Sequence, residues 1–237
     1  AYARRMDILL VVLGIVLLYF GGNMLVGNAS SLAARFGLTP MVIGLTVVAL
    51  GTSAPELAAS ITAALAGSPE LAVGNVVGSN IANIGLILAL AALLSPVGTK
   101  ARFLRREMPI LIAVSLLLVL LLRDGHLGRW EGALLLGLLA GYLVLLLRTD
   151  SEEAYGSAEA EVTKPLWRDL VGLLIGLALL VLGARLLVDG ASSLARAAGV
   201  PELLIGLTVV AVGTSLPELA ASVAAALRKQ PDIALGN

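Results

Sequence analysis

The sequence predicts an all-α polytopic membrane protein built from inverted repeats with broken helices at mid-membrane depth. Three observations carry this. Hydrophobic residues make up 59% of the 237 positions and charged residues 14%, with a mean hydropathy of +0.99, beyond the range of an ordinary soluble domain. Apolar runs of spanning length recur along the whole chain. Finally, a shift of 162 residues aligns Ala29–Asn75 with Ala191–Asn237 without a gap, and 29 of 47 positions are identical.

The apolar runs fall near 7–26, 41–66, 71–94, 107–122, 130–147, 169–188 and 202–227, and an eighth begins near 232. The run at 107–122 is at the lower limit of what spans. Residues 7–122 are read as the first repeat, with its motif region at 41–94. Residues 130–147 form a fifth span, 148–168 a loop, and 169–237 an incomplete second repeat with its motif region at 202–237. The copies are offset by five spans, an odd number, so they enter the membrane from opposite sides and their broken helices face each other. Soluble repeat arrays do not fit, because the period is far too long.

The first run is too long for a signal-peptide core and no Ala-x-Ala site follows it, so it is read as a span. Met6 is the expected natural start, with Ala1-Tyr2-Ala3-Arg4-Arg5 ahead of it an added remnant. Two connections are charged. The first is basic (Lys100, Arg102, Arg105, Arg106) and is read as a headgroup anchor. The other, 148–168, is acid-rich but lacks calcium-loop spacing and is read as a solvated linker. Gly137-x-x-x-Gly141 and Gly172-x-x-x-Gly176 suit close helix packing.

Loop charges set the expected orientation. One face collects Arg35, Lys100, Arg102, Arg105, Arg106, Arg148, Lys164, Arg168, Arg228 and Lys229. The other holds Arg123, Arg129, Arg185 and Arg196, with Arg4 and Arg5 if native. The richer face is cytoplasmic, which places the N-terminus outside. Net charge is zero, so nothing points to nucleic acid, and the absence of cysteine excludes thiolate metal sites. His126 lies in the polar turn Asp124-Gly125-His126 and is expected to be solvated.

Function is expected at Gly51-Thr52-Ser53-Ala54-Pro55-Glu56 and at its copy, Gly213-Thr214-Ser215-Leu216-Pro217-Glu218. Glu56 and Glu218 are the two acids placed inside long apolar runs. A carboxylate at bilayer depth costs about 3 kcal/mol and requires a partner. A proline kink with a glutamate bonded to a neighbouring helix would explain one copy. Two matched copies favour a cation held in common. Thr52 and Ser53, four and three residues before Glu56, are expected on its helical face, as are Thr214 and Ser215 with Glu218. Pro55 and Pro217 lack an N–H, so the carbonyls of Gly51 and Gly213 lose their helical donors. Carboxylate, hydroxyl and bare carbonyl together suit hard cations such as Ca²⁺ and Na⁺.

With these motifs, and with Gly74-Asn75-Val76-Val77-Gly78-Ser79-Asn80-Ile81-Ala82-Asn83 on the next span, the sequence resembles the cation/calcium exchanger superfamily in its prokaryotic, sodium/calcium exchanger-like branch. The resemblance implies that Glu56 and Glu218 bind Ca²⁺ and share the Na⁺ sites. It further implies hydroxyl and carbonyl oxygens from Thr52, Ser53, Thr214 and Ser215, backbone carbonyls of Ala49 and Ala211 for Na⁺, and ligands at Ser79 and Asn83. Ser79 and Asn83 stand at i and i+4, a spacing that shares one helix face. The absence of an acid in Gly78-Ser79-Asn80 favours Na⁺ over H⁺ as the driving ion. The implied function is Na⁺/Ca²⁺ antiport by alternating access, with the helices at 7–26 and 169–188 sliding past the core. H⁺/Ca²⁺ or K⁺-dependent antiport is the alternative.

A cation channel would use the same acids but requires a continuous pore, which broken inverted repeats disfavour. A protease would need a base beside Ser53 or Ser215, and no span holds a histidine or lysine, so the protein is not expected to be an enzyme. The expected partners are the lipid bilayer and the transported ions, in a prokaryotic inner membrane. The resemblance implies ten helices, and the second repeat stops at Gly236-Asn237, inside the eighth. A C-terminal portion of the same protein, or a second copy, is therefore expected to complete the site.

Overall fold

The computed structural model describes residues 2–98, 101, 103–150, 165–205, 208–209 and 211–237. These are helical almost throughout and divide into two units, one formed by Ala1–Val97 with Ser157–Asn237 and the other by Gly98–Gly156.

In the larger unit, α1 (Tyr2–Phe36) and α9 (Leu166–Ala197) are its longest helices. Between them in the chain lie α2 (Pro40–Ile43), α3 (Ala49–Thr52), α4 (Ala54–Leu65), α5 (Pro69–Ala82) and α6 (Ala89–Leu94). Wide π-helical turns at Gly44–Val48 and Asn83–Leu88 join α2 to α3 and α5 to α6. After α9 come α10 (Glu202–Ile205), α11 (Ala211–Thr214), α12 (Leu216–Leu227) and α13 (Pro231–Gly236).

Both long helices run well beyond the apolar segments at 7–26 and 169–188. Hydropathy marks only the most apolar part of a helix; the remainder, such as Asn28-Ala29-Ser30-Ser31, is stabilised by packing and pairing. Arg35, Arg185 and Arg196 therefore sit within helices, Arg35 and Arg196 in the last turn. Arg35 donates to Asp169 at 3.1 Å, and Asp169 is fully buried. Each long helix ends at a left-handed glycine, Gly37 (φ +61°) and Gly199 (φ +82°). In both, the two residues after the helix bond back in the Schellman pattern: Leu38 to Ala33 and Gly37 to Ala34, Val200 to Ala195 and Gly199 to Arg196.

The two long helices cross antiparallel through small residues. A Cβ added at Gly14 would lie 2.7 Å from the Gly183 carbonyl oxygen, and one at Gly21 2.9 Å from that of Gly176. Gly14 and Gly176, like Gly21 and Gly183, are equivalent positions of the two repeats, so the crossing is itself pseudo-symmetric. Antiparallel packing of equivalent helices is what inverted copies require. Gly172 and Gly176 both face α1, as their spacing suggests. Gly137 and Gly141 have no described neighbour within 4 Å, so that pair is not a packing motif here.

Leu25, Val26, Leu180, Ala221, Ala225 and Ile233 form the fully buried centre of this unit. Leucine, isoleucine and valine side chains lie exposed along its helices, as on Ile8, Leu65, Ile81 and Leu174. That surface suits lipid.

In the smaller unit, α7 (Met108–Leu121) and α8 (Arg129–Asp150) follow a π-turn at Phe103–Glu107, which lengthens the short span expected at 107–122. Buried Glu107 accepts from Arg106 Nε and from the Tyr142 hydroxyl, each at 2.6 Å, and so ties the start of α7 to α8. His126 is exposed, its N–H bonded to Asp124 Oδ1 at 3.0 Å, as expected of a loop residue. Lys100, Arg102, residues 151–164 of the expected linker and Gly206, Leu207 and Val210 lie outside the described residues.

Among the described residues, helices α1, α5 with α6, α8 and α9 are long and apolar enough to cross a membrane; α2–α3 and α4, bent by 45° at their junction, together pass the same test as a broken span or a re-entrant loop.

Candidate cation site

Each motif breaks its helix at the serine. Ser53 (φ −80°, ψ 6°) and Ser215 (φ −90°, ψ 8°) leave helical geometry between α3 and α4 and between α11 and α12. Pro55 and Pro217 occupy the first turn of the following helix, where a missing N–H costs nothing. The carboxylates therefore project from the N-terminal turns of α4 and α12, where the helix dipole favours negative charge.

The break changes what each hydroxyl reaches. Ser53 and Glu56 share no continuous helix, and Ser53 Oγ donates across the repeats to Glu218 Oε1 at 3.0 Å. Ser215 Oγ approaches Glu56 Oε1 at 3.4 Å. The serines thus serve the opposite glutamate, not the one on their own face.

Glu56, Glu218, Thr52 and Ser215 are all buried. Glu56 Oε2, Glu218 Oε2 and Asn83 Oδ1 have no hydrogen-bond partner in the structure, although each is shielded from solvent. A buried oxygen without a donor is costly. All three oxygens belong to expected ligands, and oxygens of these kinds suit a hard cation. Among the described residues no cluster of three His, Cys, Asp or Glu side chains exists.

The other expected ligands divide. Thr52 is fully buried, its hydroxyl 3.0 Å from the Val48 carbonyl and 2.9 Å from Asn237 Oδ1. The Ala49 carbonyl accepts from Ser53 N–H at 3.0 Å and lies 3.4 Å from the Thr52 hydroxyl. Ser79 Oγ donates to Val76 O at 3.1 Å on its own helix, whereas Asn83 opens a π-turn that resets the side-chain register. The two are therefore not equivalent. Thr214 is half-buried, and Ala211 begins α11.

Sequence reading passed over Asn75 and Asn237 as ligands or supports. Asn75 Nδ2 donates to the Glu56 carbonyl at 3.0 Å and to Ser60 Oγ at 2.9 Å. Asn237 Nδ2 donates to the Glu218 carbonyl and to Ser222 Oγ, both at 3.0 Å. The identity of both asparagines and both serines between the repeats was the available signal.

Two inverted copies that bring paired carboxylates together in a buried, oxygen-lined centre define a membrane transporter of secondary-carrier architecture. The family model described as "Sodium/calcium exchanger protein" matches residues 6–148 and 169–237, and the chain belongs to that family. It is 41% identical over 237 residues to "Inner membrane protein YrbG" of Escherichia coli, covering 96% of this chain and 73% of that protein. It is 34% identical over 271 residues to "Sodium/calcium exchanger MaX1" of Methanosarcina acetivorans, covering 98% and 77%. A solved structure of the sodium-calcium exchanger NCX_Mj, soaked with Na⁺ and Sr²⁺, matches with a TM-score of 0.85 at 37% identity, covering 98% of this chain and 76% of that one. The protein is thus an integral membrane cation antiporter of the exchanger type, not an enzyme.

Proposed function

We propose that this antiporter exchanges Na⁺ for Ca²⁺ by alternating access at the Glu56/Glu218 centre. The observation that carries the reading is the crosswise pairing of Ser53 with Glu218 and Ser215 with Glu56, which leaves the second oxygen of each carboxylate, Glu56 Oε2 and Glu218 Oε2, buried without a donor. Two carboxylates are neutralised equally by one Ca²⁺ or by Na⁺ ions that reuse the same oxygens. Both ions then compete for Glu56 and Glu218, and exchange follows instead of co-transport. An empty site would hold two uncompensated charges in low dielectric, which discourages the unloaded protein from switching sides.

Thr52, Ser53, Thr214 and Ser215, the carbonyls of Ala49 and Ala211, and Ser79 with Asn83 complete the proposed ligand set. The α1/α9 pair, which crosses on glycines, is the proposed sliding element. The names of MaX1 and NCX_Mj, both sodium/calcium exchangers, support Na⁺ as the driving ion, and the name of YrbG supports the bacterial inner membrane. The basic residues Arg105, Arg106, Arg148, Arg168, Arg228 and Lys229 support a cytoplasmic face that leaves the N-terminus outside.

The test is Ca²⁺ uptake into proteoliposomes driven by an outward Na⁺ gradient. Uptake that follows the Na⁺ gradient, and is lost in both Glu56→Gln and Glu218→Gln, is the expected result. Uptake that ignores Na⁺ and follows a pH gradient would move the assignment to H⁺/Ca²⁺ antiport. Ca²⁺ flux that survives both substitutions would overturn the shared-carboxylate site.

A further inference from the structure

We infer that Asn75 and Asn237 are positioning residues of the transport site: each amide clamps the first turn of the half-helix that bears a site carboxylate, and Asn237 also sets the hydroxyl of Thr52. The inference rests on the exchange reading above.

Each clamp has the same form. The side-chain amide of Asn75, on α5, spans from the Glu56 carbonyl to Ser60 Oγ one turn later on α4. Asn237, directly after α13, spans from the Glu218 carbonyl to Ser222 Oγ on α12. The four distances lie between 2.9 and 3.0 Å, and the serines and asparagines are the same sequence distances from their glutamates. The Glu56 and Glu218 carbonyls belong to the residues whose carboxylates face the site. Anchoring the peptide at that residue removes rotation of the half-helix about its break, the one freedom Ser53 and Ser215 leave it.

The chemistry orients the amide. A peptide carbonyl only accepts, so Nδ2 must face it and Oδ1 must face away. In Asn237, Oδ1 then lies 2.9 Å from Thr52 Oγ1, and only the threonine has a proton to supply. That proton is directed to Asn237 Oδ1, to the Val48 carbonyl or, at 3.4 Å, to the Ala49 carbonyl, so the hydroxyl meets a cation with lone pairs. Thr52 belongs to the first repeat and Asn237 to the second. The clamp therefore couples the two halves of the site, as the packing of α13 against α2 and the following π-turn also does.

The experiment measures the half-saturating Ca²⁺ concentration and maximal rate of Na⁺-driven uptake. It also measures Ca²⁺-dependent thermal stabilisation of the purified protein, for Asn75→Ala, Asn237→Ala, Ser60→Ala and Ser222→Ala. Loss of either amide should raise the half-saturating Ca²⁺ by about tenfold or more, the larger effect falling at Asn237 because Thr52 is released too. Ser60→Ala and Ser222→Ala keep the amide-to-carbonyl bond and should shift it by less than threefold. A purely structural role would lower the melting temperature without Ca²⁺ and leave the half-saturating concentration within twofold of wild type, and that result would overturn the inference. If an alanine variant does not fold, Asn→Ser at that position is read by the same criterion. Failure of the wild-type protein to couple Ca²⁺ to Na⁺ would overturn the exchange reading alone, since Ca²⁺-dependent stabilisation still scores the amides.

Discussion

Replacing Glu218 by glutamine isolates charge from shape at the centre of the site. The glutamine oxygen still accepts from Ser53 Oγ, now 3.0 Å from Glu218 Oε1, and the amide nitrogen takes the place of Oε2, which has no donor. The side chain keeps its size and shape, while the site falls from two negative charges to one. A unit charge about 4 Å from a monovalent cation is worth about 4 kcal/mol at an effective dielectric of about 20, and about 8 kcal/mol for a divalent one. Part of each is recovered as ion hydration and by the new amide oxygen, but the ratio follows ion charge. On a logarithmic scale the loss of Ca²⁺ affinity should be about twice the loss of Na⁺ affinity. A tenfold weakening of Na⁺ would accompany about a hundredfold weakening of Ca²⁺. Removing one of two buried like charges should also stabilise the ion-free protein. Thermal unfolding across Ca²⁺ and Na⁺ titrations reads both effects, because ligand stabilisation grows with the ratio of ligand to Kd. Equal fold-losses for the two ions, or a lower melting temperature of the ion-free variant, would refute the argument.

The remaining predictions concern packing. Gly14→Ala should destabilise by about 1–3 kcal/mol in thermal unfolding, because its Cβ would lie 2.7 Å from backbone; Gly137→Ala, which meets nothing, should be neutral or slightly stabilising. Arg35→Ala should cost about 3–5 kcal/mol by leaving the buried Asp169 charge unpaired, and Asp169→Asn in the same chain should restore much of that. Lys229→Gly should stabilise by about 1 kcal/mol, since Lys229 adopts φ +57° where the first repeat uses Gly67. Tyr142→Phe should cost about 1–3 kcal/mol through the bond lost to buried Glu107.

Much of this protein was legible without coordinates. The apolar runs, the repeat and the two acids within it follow from local composition and from identity at a fixed shift, which need no tertiary information. An offset of five spans between the copies, an odd number, already implied inversion, and a carboxylate at membrane depth already implied a partner. Tertiary structure decided the rest, because it depends on residues far apart in sequence. Helical face rules assigned Ser53 to Glu56, but the break at Pro55 sends its hydroxyl to Glu218, 165 residues away. Hydropathy ended the first span near residue 26, yet α1 continues to Phe36 because Arg35 finds Asp169 on α9 and glycines allow the two helices to touch. Asn75 and Asn237 read as ordinary polar residues of a motif. Only folding, by setting α5 on α4 and α13 on α12, shows that their amides hold the peptides that carry the site.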